Sequence, residues 1–538
     1  MRENHLGGFI MRRSKSLLLL LLLSLSIALC GCSGSTKSDD KGTGKESVDA
    51  TQEASKTPVN GGSVIVGIQN DLDSLDPHKA TAAGTREVLF NMFEGLVKPD
   101  KDGNLVPAVA SDVIISDDGL TLSFPLREGV KFHNGALVTT ADVIYSVKRC
   151  AGLLETLDPE VSVEKALSSI ISVEEYQTDD GKPGVVIKLS EANSDILGYL
   201  TGAIIPKDYA DMDTAPIGTG PFKFVSYTPL TSLVMEKNPD YYVEGVPYLD
   251  QVTFKVSANT DAAFMELMAG SIDIYPYMTS EQAKQLPDTY RVEQGSMNLV
   301  QGLFLNNAVA PFDNKLVRQA LCYAIDRQQI LDMVADGAGT IVGTPMYPQF
   351  KKYYVDSLAT EYSANIEKAK ELLAEAGYPN GFSFTITVPS NYQFHVDTAQ
   401  VMVEQLKQIG VTAEIKLVEW ASWISDVYTA RNYESTVIGL DANMTPSNVM
   451  FRYVSTDPKN FLNYSNAEYD ELYAKAYTTT NDEEKVAYYK QLQDILAKDA
   501  ASVFIQAPSN IVGINNKLQG YQFYPLYVQD LASVYFTE

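Results

Sequence analysis

Hydrophobic and polar positions along the chain switch between two periods. Short β-branched runs predict strands at Gly62-Ser-Val-Ile-Val-Gly67, Val185-Val-Ile-Lys-Leu189, Phe382-Ser-Phe-Thr-Ile-Thr-Val388 and Val411-Thr-Ala-Glu-Ile-Lys-Leu417, the last two by clean alternation. Between those two, residues 397–409 place Val401 or Met402, Leu406 and Ile409 at helical spacing, and Gly410 follows as a stop. Strand, helix and strand then form a βαβ-like unit. Further helices are predicted over 365–376, with Asn365 as N-cap and Gly377 as terminator, and over 483–497. Another spans 143–148, opened by the capping-box pattern Thr139-Thr-Ala-Asp142. Residues 317–325 read as a buried helix in which Cys322 is a small core residue. The glycine-rich stretch 337–343 reads as a loop after a helix and lacks the spacing of a dinucleotide fingerprint. The class is mixed α/β with more than one sheet.

The first thirty residues read as an address. Arg12, Arg13 and Lys15 precede an apolar run, Leu17 to Cys30, shorter than the roughly 20 residues that span a bilayer. This describes a secretory signal rather than a membrane helix, with Met11 as an alternative start. Leu29-Cys30-Gly31-Cys32 resembles a bacterial lipobox. The resemblance makes 1–31 a lipoprotein signal peptide and Cys32 the lipidated residue; the alternative is an ordinary signal with incidental cysteines. Residues 32–60 are rich in Ser, Thr, Lys, Gly, Asp and Glu and hold no aromatic ring, as in a flexible tether.

Composition narrows the functions. With 538 residues, several domains are expected. The formal charge of -26 makes nucleic acid and anionic membrane surfaces poor partners. Beyond Cys32 only Cys150 and Cys322 remain, too few for a disulfide framework. The four histidines are scattered, and no GxSxG, HExxH or Walker A pattern occurs. The sequence gives no sign of an enzyme, a cofactor or a metal centre.

Longer passages carry more. Leu120-Thr-Leu-Ser-Phe-Pro-Leu-Arg-Glu-Gly-Val-Lys-Phe-His-Asn-Gly135, followed by Thr139-Thr-Ala-Asp-Val143, resembles the signature of the family 5 extracellular solute-binding proteins, the oligopeptide, dipeptide and nickel group. Asp73-Ser-Leu-Asp-Pro-His78, Pro216-Ile-Gly-Thr-Gly-Pro-Phe222 and Val317-Arg-Gln-Ala-Leu-Cys-Tyr-Ala-Ile-Asp-Arg327 match in the same order. The resemblance covers about residues 62–538. It implies a two-lobed, periplasmic-binding-protein-like clamshell (type II, cluster C-like) with an additional inserted subdomain. By matched segments, lobe I combines 61–98, 214–310 and 506–538, the insertion spans 99–213, and lobe II spans 311–505. The chain would cross between lobes near Pro311 and Gln506, and a disulfide between Cys150 and Cys322 is not expected.

The resemblance also implies a role: a lipid-anchored monomer at the outer face of the cell membrane (the periplasm in a Gram-negative cell) that captures oligopeptides. It would deliver them to an ABC importer's permease and ATPase subunits. A non-peptide solute such as a glycoside or metal chelate, or a peptide-sensing signalling receptor, are the alternatives. Peptide-binding members carry Gly-Trp-x-Ala-Asp, whose Asp pairs with the peptide ammonium. Here Gly439-Leu440-Asp441-Ala442-Asn443 puts Leu440 at the Trp position and Asn443 at the Asp position. An amide offers a buried ammonium only a dipole, so Asp441 either substitutes or faces solvent. His395, on the loop before a helix, either lines the site or sits on the surface. Of Trp420 and Trp423, three apart on one face, one is core and the other a wall. Arg452 and Tyr453 follow the altered segment; Arg452 is a partner for a ligand carboxylate or a solvated surface residue. Asn70 and Asp71 are the other lobe's candidates, with turn formation as the plainer explanation.

Overall fold

The computed structural model describes residues 57–441, 445–526 and 528–537. The expected signal peptide, most of the expected tether, the expected lipidation site Cys32 and the candidate Asn443 lie outside the described residues.

Twelve strands form one continuous sheet. Its main path runs Thr412–Val418, Ser383–Pro389, Ser435–Asp441, Leu299–Leu305, Val503–Asn515, Ile274–Tyr275, Ser63–Ile68, Gln251–Val256, Ser232–Lys237 and Phe222–Thr228. The 13-residue strand Val503–Asn515 joins the two halves. Its first part pairs with Leu299–Leu305 and Gly339–Ile341, its last part with Tyr290–Ser296 and Ile274–Tyr275. Alternation along it feeds several cores. Val503 and Ile505 join Ala369, Leu406 and Val437; Phe504 and Ala507 join Trp423 and Tyr453 on the opposite face; Val512 and Ile514 join Val64 and Phe254.

The insertion has its own core. An antiparallel sheet, in the order Ile114–Ile115, Thr121–Pro125, Pro183–Leu189, Ile170–Gln177, is covered by the helix Thr140–Cys150. Leu122, Phe124, Val143, Val147 and Ile187 fill the space between. Thr139 caps that helix reciprocally: its hydroxyl accepts from Asp142 N at 3.3 Å, and Asp142 Oδ2 accepts from Thr139 N at 2.9 Å.

The predicted βαβ unit is present as Ser383–Pro389, Gln393–Lys407 and Thr412–Val418, with the strands paired directly in parallel. Its helix starts four residues earlier than the apolar spacing suggests. The first turns are buried through Val396 and Ala399 and through His395 and Thr398, polar residues satisfied by hydrogen bonds that apolar spacing does not register. Asn365 caps Ile366–Glu375 by accepting from Lys368 N at 2.9 Å.

One expectation changes. Residues 339–341, read as loop, form a strand on Ala507 and its neighbours; three residues are too few for alternation to show an edge strand. Strand pairing changes partner over residues 296–299. Ser296 pairs with Ser509 in one half and Leu299 with Asp441 in the other, while Phe312 is already in the second half's core. Along Val503–Asn515 the partner strand changes just after Gln506. Cys150 and Cys322 are free, and burial pushes each thiol up to about 12.

Candidate functional site

Strand direction places the site. Ser383–Pro389, Thr412–Val418 and Ser435–Asp441 are mutually parallel, so their carboxyl ends share one edge, where Leu299 pairs with Asp441. In the other half Ser63–Ile68, Gln251–Val256 and Ile274–Tyr275 are parallel. Past Tyr275 the chain follows the shared strand toward its middle: Tyr277 N donates to Asn510 Oδ1 at 3.2 Å and Met278 N to Ile511 O at 2.8 Å. Both carboxyl edges therefore converge on residues 508–510. Crevices beyond the carboxyl ends of parallel strands, where the topology switches, are where open α/β sheets bind ligands.

The second half brings together three of the residues singled out from sequence. Trp420 and Trp423 stack with ring centroids 5.1 Å apart and planes at 4°. Trp423 is buried and its Nε1 donates to Thr436 Oγ1 at 2.9 Å, whereas Trp420 is 39% exposed. Tyr392 joins them, edge-on to Trp420 at 5.4 Å and 5.7 Å from the His395 ring.

His395 is neither on a surface loop nor free to offer a nitrogen. Strand Ser383–Pro389 pairs with Ser435–Asp441 only through Ser435 and Thr436, leaving the later amides on that side without a strand partner. The Gly439 N–H donates to His395 Nε2 at 3.1 Å. A backbone N–H can only donate, so Nε2 is an accepting nitrogen, and Nδ1 lies 2.9 Å from Nε2 of the Gln301 carboxamide. That carboxamide also meets Thr398 Oγ1 at 3.0 Å and the Gln506 amide at 2.9 Å. Burial lowers the His395 pKa to about 4, so the ring is neutral at physiological pH.

The other candidates separate. Asp441 ends its strand exposed, with no ion-pair partner among the described residues. Arg452 is held by its own chain: Nη1 donates to Asn448 O at 3.1 Å, Nη2 to Asp441 O at 3.2 Å, and the guanidinium lies 5.0 Å from the Phe451 ring. Tyr453 is fully buried among Tyr464, Tyr469 and Phe504, a core ring rather than a wall. In the first half Asn70 is exposed, and Asp71 Oδ2 accepts from Leu230 N at 2.8 Å, pinning the hairpin that joins Phe222–Thr228 to Ser232–Lys237. The structure does not bring Asp71 to the aromatic group.

Sequence reading missed two features. One is the Gln301–Thr398–Gln506 network, whose members carry no motif. The other is a cavity of about 290 Å³ between the insertion and the second half, lined among others by Asn104, Asn193, Asp195, Tyr353, Thr445 and Lys485. Beside it Asp195 and Lys485 form a buried ion pair.

Comparison with known proteins agrees with this geometry. Residues 104–462 match the model of the bacterial extracellular solute-binding proteins, family 5 middle. The chain belongs to that family. These are the solute-binding components of ABC importers, and the solved relatives are two-lobed. The family 5 chain is 28% identical over 513 residues to the oligopeptide-binding protein AppA of Bacillus subtilis (strain 168), covering 89% of this chain and 92% of AppA. The ABC transporter substrate-binding protein CtaP of Listeria monocytogenes superposes with a TM-score of 0.76 at 25% identity, covering 89% of this chain and 100% of that one. AppA in complex with a nonapeptide superposes with a TM-score of 0.66 at 26% identity, covering 90% and 100%.

Proposed function

We propose that this family 5 protein is a receptor for oligopeptides, which it takes up between its lobes and hands to the permease of an ABC importer. It acts as a monomer without cofactor or metal, held on the outer face of the membrane by lipid on Cys32. The observation that carries the reading is the match to an oligopeptide-binding relative over nearly the whole of both chains. The site supports it: Asp441, an exposed carboxylate without an ion-pair partner among the described residues, stands at the edge where a peptide ammonium needs a full charge. Trp420 and Tyr392 form the wall, with Trp423 and His395 behind them. The changes of strand partner at 296–299 and after 506 support a lobe I of 61–98, 214 to about 298 and 509–538, an insertion of 99–213 and a lobe II of about 299–508.

A second reading, the same receptor with a non-peptide solute, rests on Leu440 and Asn443, which depart from the peptide-binding pattern. Thermal unfolding with peptide pools bearing free or acetylated N-termini separates the two. Ligand at a hundred times its Kd adds about 2.7 kcal/mol of stability. Stabilisation by free-amine peptides, lost in Asp441→Asn, is the expected result. No response to either pool overturns the peptide reading and turns the search to glycosides and metal chelates.

A further inference from the structure

The insertion touches lobe II at exposed contacts, Lys351 Nζ to Asp102 Oδ1 at 2.7 Å and Thr480 Oγ1 to Asp117 O at 3.3 Å, and through a more buried segment, 194–199. Ser194 N donates to Tyr477 O at 2.7 Å, Ser194 Oγ to Ala476 O at 2.8 Å, and Lys485 Nζ to Ser194 O at 2.7 Å. Asp195, its side chain 1% exposed, pairs with Lys485 and accepts from Ser447 N through Oδ2 at 2.9 Å. The Tyr199 hydroxyl meets Asn448 Nδ2.

Ser447 lies in the first turn of the helix Pro446–Met450, whose preceding residue, Thr445, makes no side-chain cap bond. The acceptor that helix start requires comes instead from the other body. The chain then continues directly to Arg452, which reaches back to Asn448 O and Asp441 O. One carboxylate on the insertion is thus linked, through a short helix and a guanidinium, to the strand end at the cleft. A buried ion pair adds little net stability because desolvation offsets the attraction, but it holds two bodies in a single register.

We propose that Asp195 is a positioning residue for ligand binding: by capping Pro446–Met450 from the insertion, it sets where Arg452 and Asp441 stand in the cleft. Docking of the insertion and capture of ligand then strengthen one another, since coupling between two sites is reciprocal. The nature of the ligand rests on the peptide reading; the capping does not.

Amide hydrogen exchange of residues 445–450 and binding of a nonapeptide pool, both on the full chain, test this. In Asp195→Ala, exchange at Ser447 rises at least ten-fold while the helix Thr140–Cys150 is unchanged, and peptide affinity falls at least ten-fold. Asp195→Asn keeps an acceptor oxygen and restores most of both. Ser447→Pro removes the donor from the opposite side, in a first turn that tolerates proline, and weakens peptide binding like Asp195→Ala. Wild-type exchange and affinity in Asp195→Ala, or a lowered unfolding temperature without a change in either, overturns the proposal. If the wild-type chain binds no peptide, the peptide reading falls, and exchange at Ser447 alone decides whether Asp195 holds the helix.

Discussion

His395 shows what a single residue does here. Its ring fills the gap left where strand Ser383–Pro389 parts from Ser435–Asp441, and it must be neutral to accept the Gly439 N–H. His78 is buried in the same way and His133 is half-buried, and desolvation lowers each to about 4. All three bind a proton more readily unfolded, near 6.5, than folded. Their stabilisation is complete above that pH and is lost as the pH falls toward 4, at about 1.4 kcal/mol per pH unit for each. Glu87, raised by burial, opposes part of this below its own pKa. Denaturation midpoints measured from pH 7 to 4.5 should fall, and His395→Asn should flatten the slope; a level wild-type profile contradicts it. The tryptophans divide similarly. Trp423→Ala should cost about 3–5 kcal/mol in denaturant unfolding, as an emptied core site does. Trp420→Ala should leave stability nearly intact and weaken ligand binding. The sequence holds only these two tryptophans, so under the proposed site their emission should change on ligand addition. His395 was visible in the sequence as one of four histidines; its role was not. Gln301 and Gly439 reach it from 94 and 44 residues away, and no local pattern records such a meeting.

At the scale of elements, local signals decide most of what the sequence reveals. Alternation marks Ser383–Pro389, and the Asn365 and Thr139 caps mark helix starts, because each depends on neighbours a few residues away. The edge strand Gly339–Ile341 and the change of strand partner at 296–299 depend on pairing with residues near 506–509, so spacing along the chain does not announce them. The βαβ unit also rests on a contact that composition hides. Gly381, at φ +77°, lies so close to Gly410 that a Cβ would stand 1.9 Å from its carbonyl oxygen. Gly381→Ala adds a clash to a left-handed backbone and should cost about 3 kcal/mol. Gly377, at φ +91°, has no neighbour within 4 Å of such a Cβ, so Gly377→Ala should cost only about 1–2 kcal/mol. Urea midpoints of the two variants compare strain alone with strain plus clash; equal losses would mean that the contact with Gly410 relaxes freely.

For the whole molecule, one strand is the common reference. Val503–Asn515 carries cores of both halves of the sheet, and the carboxyl edges of both half-sheets face its middle, so a small bend there moves those edges relative to each other. What reaches the cleft first is governed by charge. A formal charge of -26 surrounds the molecule with a negative potential that extends roughly 30 Å at 0.01 M salt and about 8 Å at 0.15 M. A cationic peptide is drawn along that field, and an anionic one is slowed. Under the peptide reading, stopped-flow tryptophan emission should give an association rate for a lysine-containing nonapeptide that falls about ten-fold between 0.01 M and 0.3 M salt. An uncharged nonapeptide should show almost no salt dependence, because the effect acts on encounter and not on contacts within the cleft. A rate that ignores salt for both peptides would mean that the acidic surface lies away from the mouth of the cleft. A rate that rises with salt for the cationic peptide would mean that the mouth is locally basic, against the sign of the whole.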